Sequence, residues 1–97
     1  MPTTNELVES IRGHLKAAAD KVLEYIREKE RASEDGWVSA AQIKNDLELN
    51  LVCVPLGSDH GQKGWVFGAL ARNLEDRRLV EYEKRGGRAY YRSSPRI

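Results

Sequence analysis

The chain has 97 residues, 40% hydrophobic and 32% charged, with a formal net charge of +1. That length gives one domain with one modest core, and leaves no room for a DNA-reading module beside a separate ligand-sensing domain. No apolar run could span a bilayer, and a single cysteine, Cys53, excludes an internal disulfide and fits a reducing cytoplasm.

The first predicted element is a helix over about residues 4–31. Thr3 is placed to cap it, and Glu6 three residues later completes a capping box. Apolar residues then recur at helical spacing through Leu7, Val8, Ile11, Leu15, Ala18, Ala19, Val22, Leu23 and Ile26. The segment is amphipathic and lacks the apolar centre of a signal peptide. Its stripe is longer than so small a core can cover, so part should pack inward and the rest on a second copy of the chain. The charged run from Arg27 to Arg31 reads as a solvated helix end.

Residues 32–37 form a turn, after which Trp37-Val38 can make a short strand. Ser39 caps a second helix of about residues 40–48, with Gln42 at the capping-box position and Ile43 and Leu47 facing inward. The stretch from Leu49 to Ser58 has no helical period and is broken by Pro55 and Gly57, with Leu51, Val52 and Val54 expected against the core. Asp59 and Gln62 open a third helix of about residues 60–78. Val66, Phe67, Leu70 and Leu74 share its inner face, while Gly61, Trp65, Gly68, Arg72 and Asp76 share the outer one.

Leu79 to Ser93 is a hairpin folded at Gly86-Gly87, because the two-residue turn that suits strand twist needs positive φ at both central positions. Folding there pairs Arg85 with Arg88, Lys84 with Ala89, Tyr82 with Tyr91, Glu81 with Arg92 and Val80 with Ser93. One face then carries Val80, Tyr82, Ala89 and Tyr91, and the other Glu81, Glu83, Tyr90 and Arg92. Tyr82 and Tyr91 read as a buried cross-strand pair. The tip crowds Lys84, Arg85 and Arg88 around two glycines, and like charges so placed suggest an anionic partner. The charge balance agrees: residues 1–59 hold 7 Lys and Arg against 11 Asp and Glu, and residues 60–97 hold 9 against 4. A basic C-terminal part suggests contact with a polyanion.

This order of elements, with Ser39-Ala40-Ala41-Gln42-Ile43 opening the second helix, Leu70 to Val80 closing the third and Gly87-Arg88-Ala89-Tyr90-Tyr91-Arg92 as the returning strand, resembles a winged helix-turn-helix domain. The resemblance covers about residues 37–93 and is specific for fold rather than for any one family. It implies an α+β domain over residues 1–97, with three helices, a short strand and a C-terminal β-hairpin wing. It further implies a small cytoplasmic transcription regulator that binds double-stranded DNA. The third helix would enter the major groove and the wing would reach the backbone or minor groove. Carried over, Gln62, Lys63, Trp65 and Arg72 face DNA from the helix, and Lys84, Arg85 and Arg88 from the wing. The N-terminal helix would be the seam of a homodimer. The link between the second and third helices is about ten residues, longer than the turn of three or four usual in the family.

A different reading keeps the fold and makes it a protein-binding module, with Trp65 and its glycine neighbours as the anchor. RNA binding shares the same phosphate attraction. Catalysis is the least supported class, since no titratable groups converge: Ser58-Asp59-His60 are adjacent and cannot form a relay, and a helix cap explains Asp59. His14 and His60 lack metal-ligand spacing, and Cys53 has no nearby cation to lower its pKa. No metal, cofactor, small-molecule ligand or membrane partner is therefore expected.

Overall fold

The computed structural model describes residues 1–49 and 65–95. In chain order these form α1 (Thr4–Glu30), β1 (Val38–Ser39), α2 (Ala40–Asp46), α3 (Trp65–Asp76), β2 (Val80–Arg85) and β3 (Arg88–Ser93). The strands make one antiparallel sheet of order β1-β3-β2. The described residues thus make an α+β fold of three helices and a three-stranded antiparallel sheet. The expected positions of Leu51, Val52, Val54, Cys53 and the Asp59 cap lie outside the described residues.

Both N-caps described behave as their sequence requires. The Thr3 hydroxyl accepts the Glu6 amide at 3.1 Å, and the Ser39 hydroxyl accepts the Gln42 amide at 3.1 Å. The C-termini of α2 and α3 use a device the sequence hides. Glu48 and Arg78 adopt positive φ of 55° and 59°. The Leu49 amide then reaches back to Lys44 and the Leu79 amide to Leu74, at 2.8 and 2.9 Å. These are left-handed caps built without glycine, so both helices stop two residues earlier than expected.

The core forms where α1, α3 and the inner sheet face meet. Ala19, Val22, Leu23 and Ile26 of α1 pack with Ala40 and Ile43 of α2, with Phe67, Leu70, Ala71 and Leu74 of α3, and with Val38, Val80 and Tyr91 of the sheet. Polar ties fix the helices around it. Arg77 donates to Asp20 at 2.7 Å, joining the end of α3 to α1. Tyr25 donates to Asp46, joining α1 to α2, and the Ser93 hydroxyl and amide donate to Glu30. The charged end of α1 is therefore not wholly solvated: Arg27, Lys29 and Glu30 are half-buried and Glu30 holds a strand.

The hairpin register matches the pairing read from Gly86-Gly87 at every position. Gly86 and Gly87 adopt φ of 52° and 83°, as that turn demands. The expectation of a buried tyrosine pair is half corrected. Tyr91 is 7% exposed, edge-on to Phe67 at 5.4 Å, whereas Tyr82, 5.3 Å away, is 46% exposed. Tyr82 lies on the core side of a strand that has already run past the core.

Burial, with the charge of Glu75 and the neighbouring Tyr82, pushes the Tyr91 hydroxyl from 10.0 up to about 12. The folded state therefore keeps that proton after the unfolded chain has lost it, and stability falls as pH rises from about 10 to about 12. Tyr91→Phe removes this loss. Urea unfolding at stepped alkaline pH should show the wild type weakening relative to the variant across that window. Parallel curves would contradict the assignment.

Candidate nucleic-acid interface

The hairpin leaves the core after Val80, and residues 82–88 are exposed. Strand alternation places Lys84 on the helix side of the sheet and Arg85 and Arg88 on the outer side. Lys84 and Arg88 have no ion-pair or hydrogen-bond partner among the described residues. The other two cations of the hairpin are committed. Arg92 donates twice to Glu81, at 2.8 and 3.1 Å, the cross-strand pair expected from register.

Arg85 corrects the expectation of a free tip cation. Its Nη1 donates to Asp35 at 2.7 Å and its Nε to Glu83 at 2.8 Å. The guanidinium also lies 4.9 Å from the Tyr90 ring centre and 5.4 Å from that of Trp37. The register sets Arg85 opposite Arg88, and these two acids draw one of the like charges away. For Arg85, then, the anionic partner suggested by the crowded tip is internal. The Asp35 carboxyl is held down at about 2, first by Arg85 and then by the Trp37 amide and the Ser33 hydroxyl, so it stays ionised at ordinary pH.

On α3, Val66 is half-buried, and Phe67, Leu70 and Leu74 are buried as the period required, with Ala71 added. The outer face carries Trp65, Gly68, Arg72 and Asp76, all exposed. Trp65 is 49% exposed, on the outer face that the helical period gives it. A Cβ at Gly68 would meet nothing within 4 Å, so this glycine is not there to let α3 approach α1. Arg72 pairs with Asp76 at 3.1 Å, both side chains mostly in solvent, a contact worth little and easily exchanged for a phosphate. Gln62 and Lys63, with Gly61, Gly64 and His60, lie outside the described residues.

One cation escaped the sequence reading. Lys44 of α2 lines a groove of about 540 Å³ together with Arg88 and the turn residue Gly87, over a floor of Ala40, Ala41 and Ala89. Nothing in the sequence links residue 44 to the tip; only the β1–β3 pairing brings α2 beside it. The site is thus Lys84 and Arg88 at the tip, Lys44 across the groove, and the Trp65–Arg72 face of α3.

The N-terminal half of α1 is separate from all of this. Residues 4–18 are exposed throughout, including Leu7, Val8, Ile11 and Leu15. The apolar stripe divides into an unpacked and a packed part, as expected, and the division falls at Ala19, the first buried residue. No group of three His, Cys, Asp or Glu among the described residues could hold a metal ion, and no described helix is long and apolar enough to cross a membrane. The sequence matches no family model, no curated protein and no solved structure.

Proposed function

We propose that the chain is a winged helix-turn-helix protein that binds duplex DNA as a homodimer, acting as a small cytoplasmic transcription regulator. The order α1-β1-α2-α3-β2-β3, with a hairpin running past the core, supports that fold. One observation carries the DNA reading: two hairpin cations are paired with carboxylates, Arg92 with Glu81 and Arg85 with Glu83 and Asp35, and the two without an ion-pair or hydrogen-bond partner among the described residues, Lys84 and Arg88, stand at its exposed tip. Phosphate attraction is the usual role of such cations, and Lys44 and Arg72 extend the surface on either side. The reading needs neither cofactor nor catalytic group.

The dimer rests on the exposed half of α1. A helix of some fifteen residues is marginal in water without packing, and this one presents four large apolar side chains to solvent. Its charges, Glu6 and Glu9 against Arg12 and Lys16, balance, so a second copy meets no net repulsion. Sedimentation velocity with and without a mixed-sequence duplex tests both parts. The wild type should run as a dimer and shift with the duplex, while Ile11→Asp should run as a folded monomer and bind more weakly. A monomeric wild type removes the seam, and an unshifted duplex at micromolar protein removes the DNA reading.

The exposed Trp65 favours a second reading, a protein-binding surface on the outer face of α3. Trp65→Ala should then abolish partner capture while substitutions at Lys84 and Arg88 leave it intact.

A further inference from the structure

We propose that Arg85 is a positioning residue rather than a phosphate ligand: it latches the hairpin tip to the turn between α1 and β1, and so fixes the direction in which Lys84 and Arg88 are presented. The proposal rests on the DNA-binding reading for its consequence, though not for the latch itself. The hairpin is held by six register pairs along its own length, but β1 joins β3 through only two, Val38↔Tyr91 and Ser39↔Tyr90. Beyond Tyr90 the tip is a two-stranded ribbon, which alone is marginal in water. Among the described residues, Arg85 reaches back from it to Asp35.

Its path crosses the whole sheet. From the end of β2 the guanidinium lies over Tyr90 of β3 and beside Trp37 at the entry to β1, and ends on Asp35 at 2.7 Å. The receiving turn is itself ordered. The Asp35 carboxylate accepts the Ser33 hydroxyl at 2.9 Å and the Trp37 amide at 3.1 Å, and Ser33 also lies 2.8 Å from the Trp37 carbonyl. Arg92, fixed on Glu81, lies 4.4 Å from the Trp37 ring centre. The outer face therefore reads acid, guanidinium, indole, guanidinium, acid in series. For Arg85 to reach a phosphate it must abandon two carboxylates and two rings. Lys84 and Arg88 abandon no partner among the described residues.

Four variants decide the matter: Arg85→Ala, Asp35→Asn, the two combined, and Arg85→Lys, with Glu34→Gln as a control for the added charge. In the free protein, amide hydrogen exchange at residues 83–89 should quicken in all four and stay unchanged in the control. Lysine should not rescue, because an ammonium cannot span two carboxylates while lying flat on the rings. With a mixed-sequence duplex, Arg85→Ala and Asp35→Asn should each weaken binding several-fold. The combined variant should be no weaker than Arg85→Ala, and the dependence of affinity on salt should keep its wild-type slope. The latch is overturned if tip exchange is unchanged. It is also overturned if Arg85→Ala lowers the salt slope by about one unit while Asp35→Asn tightens binding, the pattern of a phosphate ligand competing with Asp35. If wild type binds no duplex, the DNA reading fails and the exchange comparison alone decides the latch.

Discussion

Leu74→Ala should lower the unfolding free energy by about 2–5 kcal/mol, the cost of removing a fully buried leucine and leaving a cavity. Leu74 is 0% exposed and lies in a core to which α1, α2, α3 and the sheet all contribute. Small domains are stable by only about 5–15 kcal/mol, so this change removes a large share of the total. At this length each kcal/mol is worth about 4–8 °C of melting temperature, and thermal unfolding followed by circular dichroism should show the drop directly. Leu15→Ala makes the contrast. Leu15 is 44% exposed, so within one protomer its truncation should cost no more than about 0.5 kcal/mol. A large loss there that vanishes on dilution would place the cost in the seam between copies. Equal, concentration-independent losses at both positions would contradict the division of α1 into a packed and an unpacked half.

The Lys84→Ala/Arg88→Ala double variant should lose about tenfold or more in affinity for random duplex at low salt. Its log–log salt slope should become shallower by about 1.8, since each phosphate contact contributes about 0.9. The fold should be unaffected, because both side chains are exposed and have no ion-pair or hydrogen-bond partner among the described residues. This separates them from Arg85, whose loss should weaken binding at constant slope. Fluorescence anisotropy of a labelled duplex across a salt series measures both quantities. An unchanged slope would mean that the tip does not touch the backbone, and the surface around Trp65 would then be the one to pursue.

Much of this architecture could be read from local chemistry. Gly86-Gly87 set the register of β2 on β3 to the residue, and that register fixed which side chains share a face. Thr3 and Ser39 set two helix starts, because a side-chain cap is a contact between neighbours in sequence. Helix ends were less legible: Glu48 and Arg78 take left-handed φ at positions where glycine is the usual signal, held there by the packing of Leu49 and Leu79. At the candidate site, the exposure of Trp65 and Arg72 followed from helical period and that of Arg88 from register, whereas Lys84, on the helix side of its strand, is exposed because the hairpin has run past the core. The commitment of Arg85 followed from neither period nor register. Glu83, two residues back on the same strand face, was a readable hint, but Asp35 stands fifty positions away. Its approach depends on how a turn, a short strand and the hairpin stack across the sheet. Lys44 escaped for the same reason.

The most direct measurement is a titration of isotope-labelled protein with a short mixed-sequence duplex, followed by amide chemical shifts. The account requires the largest changes at Lys84, Gly86, Gly87 and Arg88, with smaller ones at Lys44 and along Trp65–Arg72, and none over residues 4–18. Shifts that spare the hairpin tip, or that fall on Leu7, Ile11 and Leu15 instead, would contradict it.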